Sequence, residues 1–160
     1  MPSDASFEDG AERPVFVTAL DAEGLTIVSA LVQDAVFPMS EIRWDRARRR
    51  FALLLNRFRW EDRARAEALG RPYERVRSLL IVDDVVGVRS QGLDRGDRDT
   101  VLSLLSLTWE PSDEPAGRLV LTLAGDGAVA LEADCLDVTL KDVTRPYAAP
   151  SGKAPSHDDR

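Results

Sequence analysis

The side chains that could carry catalysis are few in this sequence and poorly placed for it. The one histidine, His157, sits in the polar closing stretch "AAPSGKAPSHDDR" (148–160). No positioned imidazole is therefore expected for a Ser–His or Cys–His pair, or for a histidine metal site. The one cysteine, Cys135, cannot form an intramolecular disulfide, and in a strand-like setting it reads as a small buried apolar residue in a reducing compartment. With one Cys and one His in a tail, zinc is excluded, and no metal or cofactor is expected. Acid–base chemistry is left to carboxylates: the adjacent pair Asp83–Asp84, and the cluster Glu132, Asp134, Asp137 and Asp142. Neighbours on a strand point to opposite faces, so Asp83 and Asp84 share a site only if a turn separates them. Aspartates at strand ends usually serve turns or face water. Glu132, Asp134 and Asp137 also lack an obvious partner to tune their acidity.

"GDGAVA" (125–130) has the outline of a glycine-rich nucleotide loop, but that loop needs a helix immediately after it. Alternating "AVALEA" follows instead, so Asp126–Gly127 reads as a hairpin turn.

The most distinctive run is "RRRFALLLNRFRWED" (48–62), which combines arginines with aromatics. Such a combination occurs on nucleic-acid contact surfaces and also on a β-strand with charged ends. Ala52, Leu54, Asn56, Phe58 and Trp60 alternate with Phe51, Leu53, Leu55, Arg57 and Arg59. The expectation is that Phe58 and Trp60 are buried while Arg57 and Arg59 point outward. Arg57, Arg59, Arg75 and Arg77, with Asn56 nearby, form the candidate anion- or partner-binding set if paired strands bring them together. Asn56, a polar amide on an apolar face, needs a partner, most simply a backbone group and otherwise a ligand.

Charge frames this choice. The chain has 21 basic and 28 acidic residues, for a net charge of −7, which argues against a general polyanion binder. Between Arg43 and Arg77, twelve arginines stand against five acids, a local +7 that leaves −14 for the rest.

The elements that would position these residues are mostly strands. "VFVTAL" (15–20) reads as a strand, and "DAEGLTIVSALVQDAV" (21–36) as a helix capped by Asp21, with a stripe of Ile27, Val28, Leu31, Val32 and Ala35, stopped by Pro38. "MSEIRW" and "RFALLLNRFRW" flank a hairpin turn at 45–49. The polar stretch 62–72 reads as a long loop with at most a helical turn. Further strands are expected at 75–82, 84–91, 100–110, 118–124, 128–133 and 135–143, with a bulge near Asp134 where the apolar parity switches. The predicted fold is α+β and mostly β: a curled antiparallel sheet of about eight strands, a partly open barrel or sandwich, with one N-terminal helix. Flexible tails are expected at 1–13 and 148–160, around a single domain at 14–147. The N-terminus carries acids where a signal peptide needs a basic start, and no segment reaches the ~20 apolar residues of a membrane span, so a cytoplasmic, non-membrane protein is expected.

Together, "ALDAEGLTIVSALVQDAV", "RRFALLLNRFRWE", "VRSQGL", "LSLLSLTWE" and "GAVALEADCLDVTLKDV" make the chain resemble the bacterial domain-of-unknown-function family DUF2948 over roughly 15–147. The resemblance implies a small cytoplasmic protein without an assigned activity, so no residue role is carried over.

Three functional readings follow, in order. The first is a non-enzymatic module for interaction with another protein or for self-association into a homo-oligomer. The second is binding of RNA or a phosphorylated ligand through Arg57, Arg59, Arg75 and Arg77. The third is a carboxylate-dependent enzyme using Glu132, Asp134 or Asp137.

Overall fold

The computed structural model describes residues 13–94 and 96–155. His157, most of the N-terminal tail and the end of the C-terminal tail lie outside the described residues.

The chain opens with β1 (Phe16–Ala19) and α1 (Ala22–Leu31). Asp21 caps α1 as expected, accepting the Gly24 N–H at 2.7 Å. The helix ends before the expected boundary, because Asp34 takes a left-handed φ of 62° that helical backbone does not tolerate. Residues beyond it form β2 (Ala35–Pro38). The buried stripe is accordingly Leu25, Val28 and Val32, while Ile27 is exposed and Ala35 is buried from a strand.

β3 (Ile42–Asp45) and β4 (Arg50–Phe58) form the expected hairpin. The stretch read as a loop holds a second helix, α2 (Arg63–Leu69), where one helix was expected in the whole chain. Gly70 ends α2 in the left-handed conformation, as a helix C-terminus favours. Next come β5 (Glu74–Val82), β6 (Val85–Gln91), β7 (Val101–Pro111), β8 (Gly117–Leu123), β9 (Ala128–Ala133), β10 (Val138–Asp142) and the two-residue β11 (Tyr147–Ala148). The β8–β9 hairpin forms as expected, but its left-handed pair is Gly125 and Asp126, one residue before the expected Asp126–Gly127.

Among the described residues eleven strands join one antiparallel sheet in the order β1-β10-β5-β4-β2-β7-β8-β9-β6, with β3 on β4 and β11 on β5. The sheet is mostly antiparallel and curled, and it does not close into a barrel. β4 and β2 meet at a single pair, Val36 opposite Asn56, so two halves of the sheet hinge there around one core. That core combines Phe51, Leu53 and Leu55 of β4, Leu80 of β5, Leu119 and Leu121 of β8, Leu131 of β9 and Leu140 of β10, with α1 laid across it. The parity switch at Asp134 is a full break: β9 pairs with β6 and β8, whereas β10 pairs with β5 and β1 in the other half. Beyond the expected domain end the chain stays on the sheet, with Ala149 buried and its N–H donated to the Tyr73 carbonyl at 2.8 Å.

Candidate functional site

Arg57 corrects the expectation of an outward-facing cation. It shares parity with Phe51, Leu53 and Leu55, so β4 carries it inward, where it is the largest fully buried side chain. A buried charge must be matched. Arg57 Nη1 and Nη2 donate to the Glu61 carboxylate at 2.9 and 2.8 Å, Nη2 donates to both Asp142 oxygens at 3.0 Å, and Nε reaches Ser78 Oγ at 3.1 Å. Ser78 Oγ in turn donates to Asp142 Oδ1 at 2.6 Å, and the Val15 N–H donates to Oδ2 at 2.8 Å. Burial alone would pull the Arg57 pKa down, but Glu61 and Asp142 more than offset it and hold it above its usual value.

Arg59 is buried too, only 4% exposed, with Nη1 on Glu74 at 2.5 Å and Nε 3.6 Å from Glu61. Its backbone N–H bonds the Glu74 carbonyl, which fixes it against β5. Arg71 clamps Asp62 through both terminal nitrogens at 2.7 and 2.5 Å. This hydrogen bonding holds the Asp62 carboxyl below the usual range, against an opposing push from burial. Arg57, Arg59 and Arg71 thus face Glu61, Asp62, Glu74 and Asp142 at one end of the curled sheet. The hub joins β4, β5, β10 and the entry to β1. Its arginines are committed to carboxylates of the same chain.

Of the other candidates, Asn56, Arg75 and Arg77 lie together on the outer face. Arg75 Nε donates to the Asn56 side-chain oxygen at 2.6 Å, and the Asn56 amide donates to the Tyr147 hydroxyl. Burial lowers the Arg75 pKa. Neither Arg75 nor the exposed Arg77 meets a carboxylate within ion-pair distance among the described residues. The five candidates therefore divide between an inner hub and an outer face.

The carboxylate candidates are distributed as well. Glu132 pairs with Arg118 at 2.7 Å. Asp83 pairs with Arg50 at 2.8 Å, while Arg49 spans Asp134 at 2.7 Å and Asp84 at 3.3 Å. A turn does separate the adjacent aspartates, since Asp84 has φ 61°. Cys135 donates its thiol to Asp84 at 3.2 Å, and that bond, with burial, raises its pKa. Asp137 is raised by burial and by the neighbouring Asp83 and Asp84. Among the described residues, no group of three His, Cys, Asp or Glu side chains is placed to hold a metal.

Sequence reasoning missed a second feature, an opening in the sheet wall. Among the described residues β3 pairs only with β4, and β6 only with β9, so the two strands face each other across a gap with unpaired edges. The gap is pinned at both ends: Val85 N–H bonds Arg49 O at 2.9 Å, and Ser40 N–H bonds Arg98 O at 2.9 Å. Between the pins lies a cleft of about 350 Å³ reaching the core, lined by Ile42 and Trp44 of β3, Val88 and Ser90 of β6, Val129 of β9, and Met39, Leu93, Arg46 and Arg98. Ile42, Trp44, Val88 and Leu93 pack on the core yet remain only half-buried. Neither Arg46 nor Arg98 meets a carboxylate within ion-pair distance among the described residues.

A curled antiparallel sheet with two helices, an ionic hub at one end and an apolar window in its wall defines a small α+β protein. No helix among the described residues is long and apolar enough to cross a membrane. The chain belongs to the family described as "Protein of unknown function (DUF2948)", whose model matches residues 16–157. No curated protein and no solved structure matches the chain.

Proposed function

We propose that this protein is a non-enzymatic interaction module that docks a partner protein at the window between β3 and β6. The observation that supports the reading is the half-buried apolar set Ile42, Trp44, Val88 and Leu93, left uncovered between two unpaired strand edges. A concave cleft with mostly apolar walls and a few polar groups is the kind of place where a ligand or partner side chain binds. The candidate carboxylates Asp83, Asp84, Glu132 and Asp134 are engaged by arginines, and no carboxylate is among the described residues lining the cleft. The test compares wild-type protein with Val88→Glu, in pull-downs from the source cells and in light scattering. Loss of the captured proteins, or of self-association, on Val88→Glu with an unchanged melting temperature is expected. Identical behaviour of the two proteins overturns the reading.

A second reading, binding of RNA or a phosphorylated ligand, is favoured by the outer face of β5, where Arg75 and Arg77 flank Asn56 without a carboxylate partner among the described residues. Filter binding of a single-stranded RNA across a salt series tests it. Phosphate contacts weaken steeply with salt and would be lost in Arg77→Glu. No retention at low ionic strength removes this reading.

A further inference from the structure

We infer that the occupant of the window is an extended, acidic segment of a partner protein, which inserts one apolar side chain between β3 and β6. The inference rests on the docking reading above and names the chemistry of its partner.

The strand edges decide the conformation of the segment. A helix bonds its backbone groups internally and would leave those edges unpaired, while the cleft of about 350 Å³ asks only for a side chain to fill it. An extended strand presents single side chains and needs only one of them to enter. The flanking backbone favours the same conformation, because the free edges of β3 and β6 offer unpaired donors and acceptors to a strand laid beside them. Because both ends of the gap are pinned, the segment approaches from outside and does not thread through. β3 is only four residues long, so the paired stretch is about as short.

Charge decides the composition. Among the described residues the lining holds two guanidiniums, Arg46 and Arg98, and no carboxylate. Two nearby acids of the 92–100 loop are turned into its own backbone: Asp94 accepts the Gly96 N–H at 2.9 Å, and Asp97 accepts the Asp99 N–H at 3.2 Å. Ser90 adds a hydroxyl to the lining beside Val88. An apolar anchor flanked by Asp or Glu satisfies both floor and rim, whereas a basic segment would meet like charge.

The experiment is panning of a random octapeptide phage library on the intact protein, followed by affinity measurement on the best synthetic peptide. Enriched sequences should carry one or two large apolar residues flanked by acids. Affinity should fall about tenfold or more in the Arg46→Glu/Arg98→Glu double variant, and exchanging the peptide's acids for lysine should restore binding to that variant. Methylating the peptide's backbone nitrogens should also weaken binding, which a contact made by side chains alone would not show. No enrichment, basic enriched sequences, or indifference to the double variant overturns the inference. If any of these occurs while pull-downs still depend on Val88, the docking reading survives and only the acidic strand falls. If the pull-downs are indifferent to Val88 as well, both fall.

Discussion

Replacing Arg57 with methionine tests whether the ionic hub holds the sheet together or merely decorates it. Met matches the length of the arginine stem and removes the charge. Asp142, with its side chain only 3% exposed, would keep the Val15 N–H and the Ser78 hydroxyl but lose its cation. Removing one partner of a buried pair typically costs about 3–5 kcal/mol. That is a large share of the roughly 5–15 kcal/mol by which a domain is stable, and it lowers the melting temperature by about 10 °C in a chain of this length. The assay is urea unfolding with an unchanged m-value. The double variant Arg57→Met/Asp142→Asn should be more stable than the sum of the two singles by about 1–3 kcal/mol, because the uncompensated carboxylate is gone. A cost under about 1 kcal/mol for Arg57→Met, or additive singles, would refute the argument that the hub is desolvated and mutually dependent.

The depressed pKa of Asp62, caused first by its Arg71 hydrogen bonds, makes stability depend on acidity. Its contribution is fully present above the unfolded value of about 3.9 and is lost as pH falls through the lower folded value. An acid titration of stability should therefore flatten in Asp62→Asn, and an unchanged slope would contradict the pairing. Gly117 lies against Trp109, where an added Cβ would come within 2.7 Å of the ring's Cε2 and 2.8 Å of the Glu110 carbonyl. Gly117→Ala should cost about 1–3 kcal/mol and shift tryptophan emission, and a neutral result would mean that β7 and β8 separate easily.

The fold was largely legible because alternation and turn chemistry act locally. The Asp21 cap and the β8–β9 hairpin are set by residues a few positions apart, and both were readable, the turn to within one residue. The early end of α1 was not, because it depends on one backbone angle at Asp34. Arg57 misled for a physical reason. The alternation of β4 gave two faces: Phe58 is buried as expected and Trp60 partly so, but the face turned to the main core is the one Arg57 shares with Phe51, Leu53 and Leu55. Glu61, four residues on, was a readable partner for Arg57, but Asp142 was not, because nothing local joins β4 to β10. The window was illegible for the same reason. Each of its strands reads as ordinary, and only the strand order leaves β3 and β6 unpaired across a gap.

The docking claim is tested most directly by amide hydrogen exchange on the protein alone and with its captured partner. The account predicts new protection concentrated at residues 42–46 and 86–91, on the two facing edges. Protection confined to the outer face of β5, or absent from β3 and β6, would contradict it.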